Sequence, residues 1–188
     1  VDAVAALADH AGTQRKDRRA TSNGPAIDTG RLRPGVMSSL ETAGLLKSFG
    51  IPLADGRLGS TADEAAAAAD HIGYPVALKI ESPDIAHKTE ADAVRLNLRT
   101  AQAVRKAFKT VVANARRHDP HAVISGALVQ PMAGGDTEMV VGLQNDPVFG
   151  PVLMLGLGGI FVEVLRDVVF ARAPVTPVQA MEMLDHLQ

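Results

Sequence analysis

The sequence predicts a mixed α+β fold with largely antiparallel sheets. Three observations carry that prediction. Two helical segments open the ordered part, each announced by a capping signal. Strand patterns then come in runs instead of alternating one by one with helices, which argues against a doubly wound dinucleotide fold. The last of these runs holds four strands between Val123 and Ala173 before a final helix.

Taken in order, the first 37 residues read as a linker or approach segment. They contain the basic run Gln14 to Arg19, then a stretch rich in Gly, Pro, Ser and Asn. The ordered domain is expected over residues 38–188. Ser38-Ser39-Leu40-Glu41 has capping-box spacing, and Gly50 is a helix stop. Leu40, Ala43, Leu45 and Leu46 are the expected buried stripe. Thr61 to Glu64 repeats the capping signal ahead of the alanine run Ala65 to Ala69, a strong helix former that Gly73 ends. Val76, Leu78 and Ile80 then alternate with Ala77, Lys79 and Glu81, and Val94, Leu96 and Leu98 alternate with Arg95, Asn97 and Arg99. Thr100 caps a helix running to about Arg117. Strands are expected over 123–129, 138–143, 152–155 and 168–173. Thr176-Pro177 starts a closing helix. No terminator follows it, so the domain is expected to continue past the last residue.

Composition narrows the function classes. A formal charge of −2 gives no basic field of the kind that binds nucleic acid. The absence of cysteine removes disulfides, thiolate nucleophiles and Cys-based zinc sites, and fits a reducing cytoplasm. The longest apolar stretch, Val152 to Val164, is interrupted by three glycines and Glu163, so no membrane span is expected.

Five places can carry chemistry. Lys79 stands opposite in parity to the apolar residues of its strand and can meet phosphate oxygens as a point charge; the ordinary alternative is a lysine on a solvent face. His87, in a polar loop beside Lys88, can accept a phosphoryl group, or simply hydrogen-bond its own turn. Gln130-Pro131-Met132, followed by Gly134-Gly135, can form a flat hinge beside an adenine edge, or an ordinary turn. Glu138 can take ribose hydroxyl hydrogen bonds, or be an exposed strand carboxylate. Gly156-Leu157-Gly158-Gly159 does not match either common phosphate-loop pattern. Glu163 and Asp167 follow it four residues apart, a spacing that suits Mg²⁺ or a pair of surface acids.

The order of these blocks is more specific than any one of them. Gly73 to Ile80, Ser82-Pro83-Asp84-Ile85-Ala86-His87-Lys88-Thr89, Val129 to Met132, Asp146 to Val152 and Gly156 to Val168 together resemble the ATP-grasp domain of NDP-forming acyl-CoA synthetases, from about Ser39 to the end. ADP-forming acetyl-CoA synthetases are the nearest members and succinyl-CoA synthetase a distant one. The resemblance implies a two-lobed fold that binds Mg-ATP or Mg-ADP for phosphoryl transfer coupled to interconversion of acyl-CoA and acid. It implies Lys79 as the phosphate lysine, Gln130 to Met132 as the adenine hinge, and Glu138, Gly158 and Gly159 as nucleotide contacts. It also implies His87 as a phosphoryl carrier and Glu163 and Asp167 as Mg²⁺ neighbours. The implied partner is a CoA-binding and ligase region, in the same protein or in another subunit of a homo- or hetero-oligomer. One departure stands out: Asp92-Ala93 occupies the place of a Gly-Gly pair. A carboxylate there is expected to add bulk and repulsion near phosphate. It is the argument for an alternative, a degenerate regulatory module like the synthetase-like region of fused protein lysine acetyltransferases.

Overall fold

The computed structural model describes residues 35–135, 137–158 and 167–187. The linker expected over residues 1–37 therefore lies outside the described residues, save its last three. The chain divides into two compact units, one holding residues 24–134 and the other residues 135–188 with the first 23.

In the first unit, α1 (Ser39–Ser48) is followed by β1 (Arg57–Gly59), α2 (Ala62–Ile72), β2 (Val76–Glu81), β3 (Val94–Leu98), α3 (Ala101–His118) and β4 (Gly126–Pro131). The four strands form one antiparallel sheet in the order β1-β4-β2-β3. The helices start where the caps predict. Ser38 and Glu41 make the reciprocal capping box of α1. Thr61 and Thr100 each accept a hydrogen bond from the third helical amide of α2 and α3. Glu64 does not complete a box with Thr61; its carboxylate accepts from the Ser60 amide at 2.8 Å instead.

The core lies on one face of this sheet. Val76, Leu78 and Ile80 of β2 and Ala127 and Val129 of β4 pack against Ala65, Ala66 and Ala69 of α2 and Val104, Val111 and Ala115 of α3. Alanine brings α2 unusually near. A Cβ built on Gly59 would sit 2.5 Å from the Ala65 backbone nitrogen, so only glycine allows β1 to lie against the first turn of that helix. β1 is an element the sequence does not announce, since three residues are too few to show alternation.

Three expectations give way. The stripe of α1 is not core: none of its residues is buried, and Leu40 is exposed. Ser39 of this helix instead hydrogen-bonds Glu81 on the face of the sheet opposite that cluster. In β3 the alternation breaks at a bulge. Val76 pairs with Leu98 but Leu78 pairs with Arg95, so β3 carries one extra residue, with Asn97 in the left-handed region at φ +58. Leu98 packs on the core while Leu96 turns out to solvent. The strand expected from Val123 begins only at Gly126, because the Val123 amide is spent on Asp84 Oδ2 at 2.7 Å instead of on a ladder.

The second unit is a three-stranded antiparallel meander, β5 (Met139–Asp146), β6 (Gly150–Leu157) and β7 (Val168–Arg172), followed by α4 (Pro177–Asp185). α4 opens with a Thr176–Gln179 capping box and buries Met183. Met139, Val141 and Leu143, which share one face of β5, are exposed. One nine-residue helix cannot cover both faces of such a sheet.

Candidate functional site

The centre of interest is the face of the first sheet turned away from its core. Residues of β2 alternate across the sheet, so Ala77, Lys79 and Glu81 share this face with their cross-strand partners Gln130, Leu128 and Gly126 on β4. Most of β2 is buried; helices pack on one face, and on the other Ser39 of α1 reaches Glu81. Lys79 alone among its six residues remains half-exposed. A strand so enclosed presents its lysine into a cleft and not to open solvent.

That cleft has a volume of about 400 Å³. Lys79, Lys88 and Gln130 line it with Leu128 from the sheet, and Ser39, Ala43 and Leu46 of α1 face them. A smaller cavity of about 230 Å³ shares Ser39, Ala43, Leu128 and Gln130 and reaches Gly56. The roof is fastened by a carboxylate. Glu81, only 5% exposed, accepts from the Ser39 amide at 2.6 Å and from the Ser39 hydroxyl at 2.7 Å. A buried carboxylate is tolerated when such donors replace its water. Here it also lies at the positive end of α1. This fastening is absent from the sequence reading. Its one signal is that Glu81 stands two residues after Lys79 and so shares its face.

The loop from Ser82 to Ala93 treats its neighbours His87 and Lys88 differently. Ile85, 2% exposed, anchors it in the core. Lys88 is half-buried and lines the cleft. His87 beside it is exposed, with Nδ1 3.8 Å from Glu90 Oε1, and is not among the residues lining the cleft. The next residues hold the departure noted above. Asp92 adopts φ +47, the left-handed region, which aspartate tolerates better than most residues. Its carboxylate takes hydrogen bonds from Arg95 Nη1 at 2.7 Å and Nη2 at 2.9 Å and from Asn114 Nδ2 at 2.7 Å. The Arg95 hydrogen bond holds the carboxyl below its ordinary pKa, against the opposing effect of desolvation, with the Arg95 charge and the Asn114 hydrogen bond adding to it. Arg95 thus answers the repulsion expected of this carboxylate, and Ala93 is fully buried.

Along β4, Gln130 and Pro131 are half-buried. The strand runs through Pro131 instead of stopping before it, and the Met132 amide donates to the Pro75 carbonyl at 3.2 Å. In the second unit, Glu138 stands immediately before β5 and touches Gly158. The Gly158 amide donates to the Glu138 carbonyl at 2.6 Å, and a Cβ on Gly158 would sit 2.6 Å from Glu138 Cγ. Two expected contacts thus meet here, and only glycine fits the second. Asp167 is half-buried, and its carbonyl accepts from the Leu157 amide at 3.4 Å. Gly159 and Glu163 lie outside the described residues. Among the described residues no group of three or more His, Asp or Glu side chains is placed to hold a metal ion.

The cleft lined by Lys79 and Lys88 lies on one face of an antiparallel sheet, and sequence comparison identifies the domain that holds it. Residues 31–188 match the family described as the ATP-grasp domain, and the chain belongs to that family. It is 45% identical over 152 residues to the ADP-forming 4-hydroxybutyrate–CoA ligase of Nitrosopumilus maritimus, a match covering 81% of this chain and 22% of the ligase. It is 41% identical over 153 residues to the beta subunit of the ADP-forming acetate–CoA ligase II of Pyrococcus furiosus, covering 81% of this chain and 65% of that subunit. Among solved structures it is similar to an acetyl-coenzyme A synthetase of Ca. Korarchaeum cryptofilum in complex with coenzyme A, Ca-AMPCP and HgCl⁺. There the TM-score is 0.76 and the identity 41%, over 81% of this chain and 66% of the other. The chain thus spans from about a fifth to about two thirds of these relatives.

Proposed function

We propose that this chain is the nucleotide-binding part of an ADP-forming acyl-CoA synthetase. The convergence of Lys79, Lys88 and Gln130 on one cleft carries the reading. Two ammonium groups suit the charge of a di- or triphosphate, and an amide beside an apolar sheet surface suits a base edge. Lys79 holds phosphate, Gln130, Pro131 and Met132 border adenine, and Glu138, Gly158 and Gly159 complete the nucleotide contacts. The described residues fit the nucleotide better than they fit its metal. For Mg²⁺ the assignment of Glu163 and Asp167 rests on the resemblance to the synthetases, supported by the calcium-bound nucleotide analogue of the Korarchaeum enzyme.

In the whole protein the reaction converts acyl-CoA, ADP and phosphate into acid, CoA and ATP. A CoA-binding and ligase region, on the same polypeptide or on a partner subunit of a homo- or hetero-oligomer, supplies the acyl chemistry. The subunit organisation of the Pyrococcus ligase supports such a partner. His87, exposed and next to Lys88, is the residue proposed to carry phosphate between the two regions. The setting is cytoplasmic; among the described residues no helix is long and apolar enough to cross a membrane. The kinship with ligases and the paired state of Asp92 both favour this synthetase over a degenerate regulatory module.

Calorimetric titration of MgATP and MgADP tests the reading, with Lys79→Ala as the control. Binding is expected in the parent chain. The variant should lose at least about tenfold in affinity, the scale of one charge-assisted hydrogen bond. Equal affinity in the two proteins sinks the assignment of Lys79, and binding in neither sinks the nucleotide site.

A further inference from the structure

The loop that carries His87 and Lys88 has an anchor that nucleotide binding by itself does not use. Three backbone hydrogen bonds close it: Ala91 N to His87 O at 3.2 Å, Asp92 N to Thr89 O at 3.0 Å, and Ala93 N to Lys88 O at 2.9 Å. This closure needs the left-handed turn at Asp92. The turn is bolted on two sides. Arg95 of β3 grips the Asp92 carboxylate with both Nη atoms, and its Nη1 also donates to the Asp92 carbonyl at 3.1 Å. Asn114 of α3 donates from Nδ2 to the same carbonyl at 2.9 Å and to the carboxylate at 2.7 Å. Asn114 is only 8% exposed, on the helix face otherwise built of Val104, Ala107, Val111 and Ala115. A buried amide among aliphatic residues is costly unless its hydrogen bonds are made. Its donor is spent on Asp92, and its oxygen accepts from Arg117 Nη1 at 3.1 Å.

We infer that Asp92 is a positioning residue: through Arg95 and Asn114 it ties the His87–Ala93 loop to the sheet and to α3, and so keeps Lys88 in the cleft with Lys79. The inference rests on reading that cleft as the nucleotide site. The loop then needs no glycine freedom at this point, because side-chain bonds hold the turn that backbone flexibility would otherwise have to find.

Two measurements on the 188-residue chain test it. Amide hydrogen exchange at Ala91 and Ala93 reads loop order without any ligand. Asp92→Gly, which keeps the backbone conformation but removes the carboxylate, should speed exchange there by roughly tenfold, and Arg95→Ala by a similar factor. Asp92→Asn, which keeps one acceptor oxygen and suits the left-handed turn, should restore most of the protection. In calorimetry Asp92→Gly should weaken MgADP binding by roughly three- to tenfold, and this loss should vanish when Lys88→Ala is already present, the signature of one residue acting through another. Unchanged exchange in both Asp92→Gly and Arg95→Ala overturns the inference. So does an affinity loss of equal size with and without Lys88. If the parent chain does not bind MgADP, the nucleotide reading falls, while the exchange comparison still decides whether Asp92 holds the loop.

Discussion

Lys79 and Tyr74 show how a single side chain takes its character from what covers it. Lys79 stays half-exposed on a strand that is otherwise buried, which leaves its side chain accessible from the cleft. Tyr74 packs against the main core cluster, with its hydroxyl donating to Asp70 Oδ1 at 2.7 Å. Burial, and then that bond to a carboxylate, push the phenol up from 10.0 to about 12. The sign follows from linkage. A phenol with a raised pKa favours the folded state while it is neutral. That contribution is complete below about 10 and is lost as pH rises toward 12. Tyr74 is the only tyrosine and there is no tryptophan, so absorbance near the phenolate band reads it without interference. A titration midpoint close to 12 is expected in the native chain, falling only part of the way toward 10 in Asp70→Ala, because burial, the larger cause, remains while the ring stays packed against the core. An ordinary midpoint in the native chain would mean that the ring is not desolvated.

Among the elements, α2 shows what a cap contributes. Four of its residues are buried alanines, so its stability comes from close approach and not from large side chains. Thr61 satisfies an amide that would otherwise be unpaired next to β1. Thr61→Ala should cost about 1 kcal/mol. For a unit of this size that is a melting shift of roughly 4–8 °C by circular dichroism. The cap, like the others, is legible in the sequence because it depends on neighbours three residues apart. So are β2, α3, β6 and β7 in outline, where alternation or helical spacing acts over a few residues. What is not legible depends on pairing across distance. The extra residue at Asn97 is invisible until β3 is laid against β2, and it alone sends Leu96 outward. The grip of Glu81 on Ser39 joins residues 42 positions apart. Lys79 can be singled out from its parity, but its meeting with Lys88 requires the loop to fold back. Asp92 could be flagged as out of place from sequence, whereas the Arg95 and Asn114 that accommodate it belong to other elements.

Across the whole chain, buried apolar area is unevenly shared between the two units. Every residue of the main core cluster falls between Ala65 and Val129. The described part of the second unit buries only Val152, Ala171 and Met183 among its apolar side chains, and leaves Val141, Leu143 and Val148 more than 60% exposed. Since apolar burial is the main favourable term in folding, the first unit should carry its own stability and the second should not. A fragment of residues 24–134 is therefore expected to unfold cooperatively, with a midpoint within a few degrees of the main transition of the intact chain. A fragment of residues 135–188 is expected to show no cooperative transition, because a three-stranded meander with one short helix offers too little core to offset chain entropy. Differential scanning calorimetry on the two fragments reads both at once. If the smaller fragment melts as a folded unit, its exposed apolar strands must find cover, as by pairing with a second copy. If the larger one fails to fold, the alanine-packed core around β2 and β4 needs the second unit to hold it together.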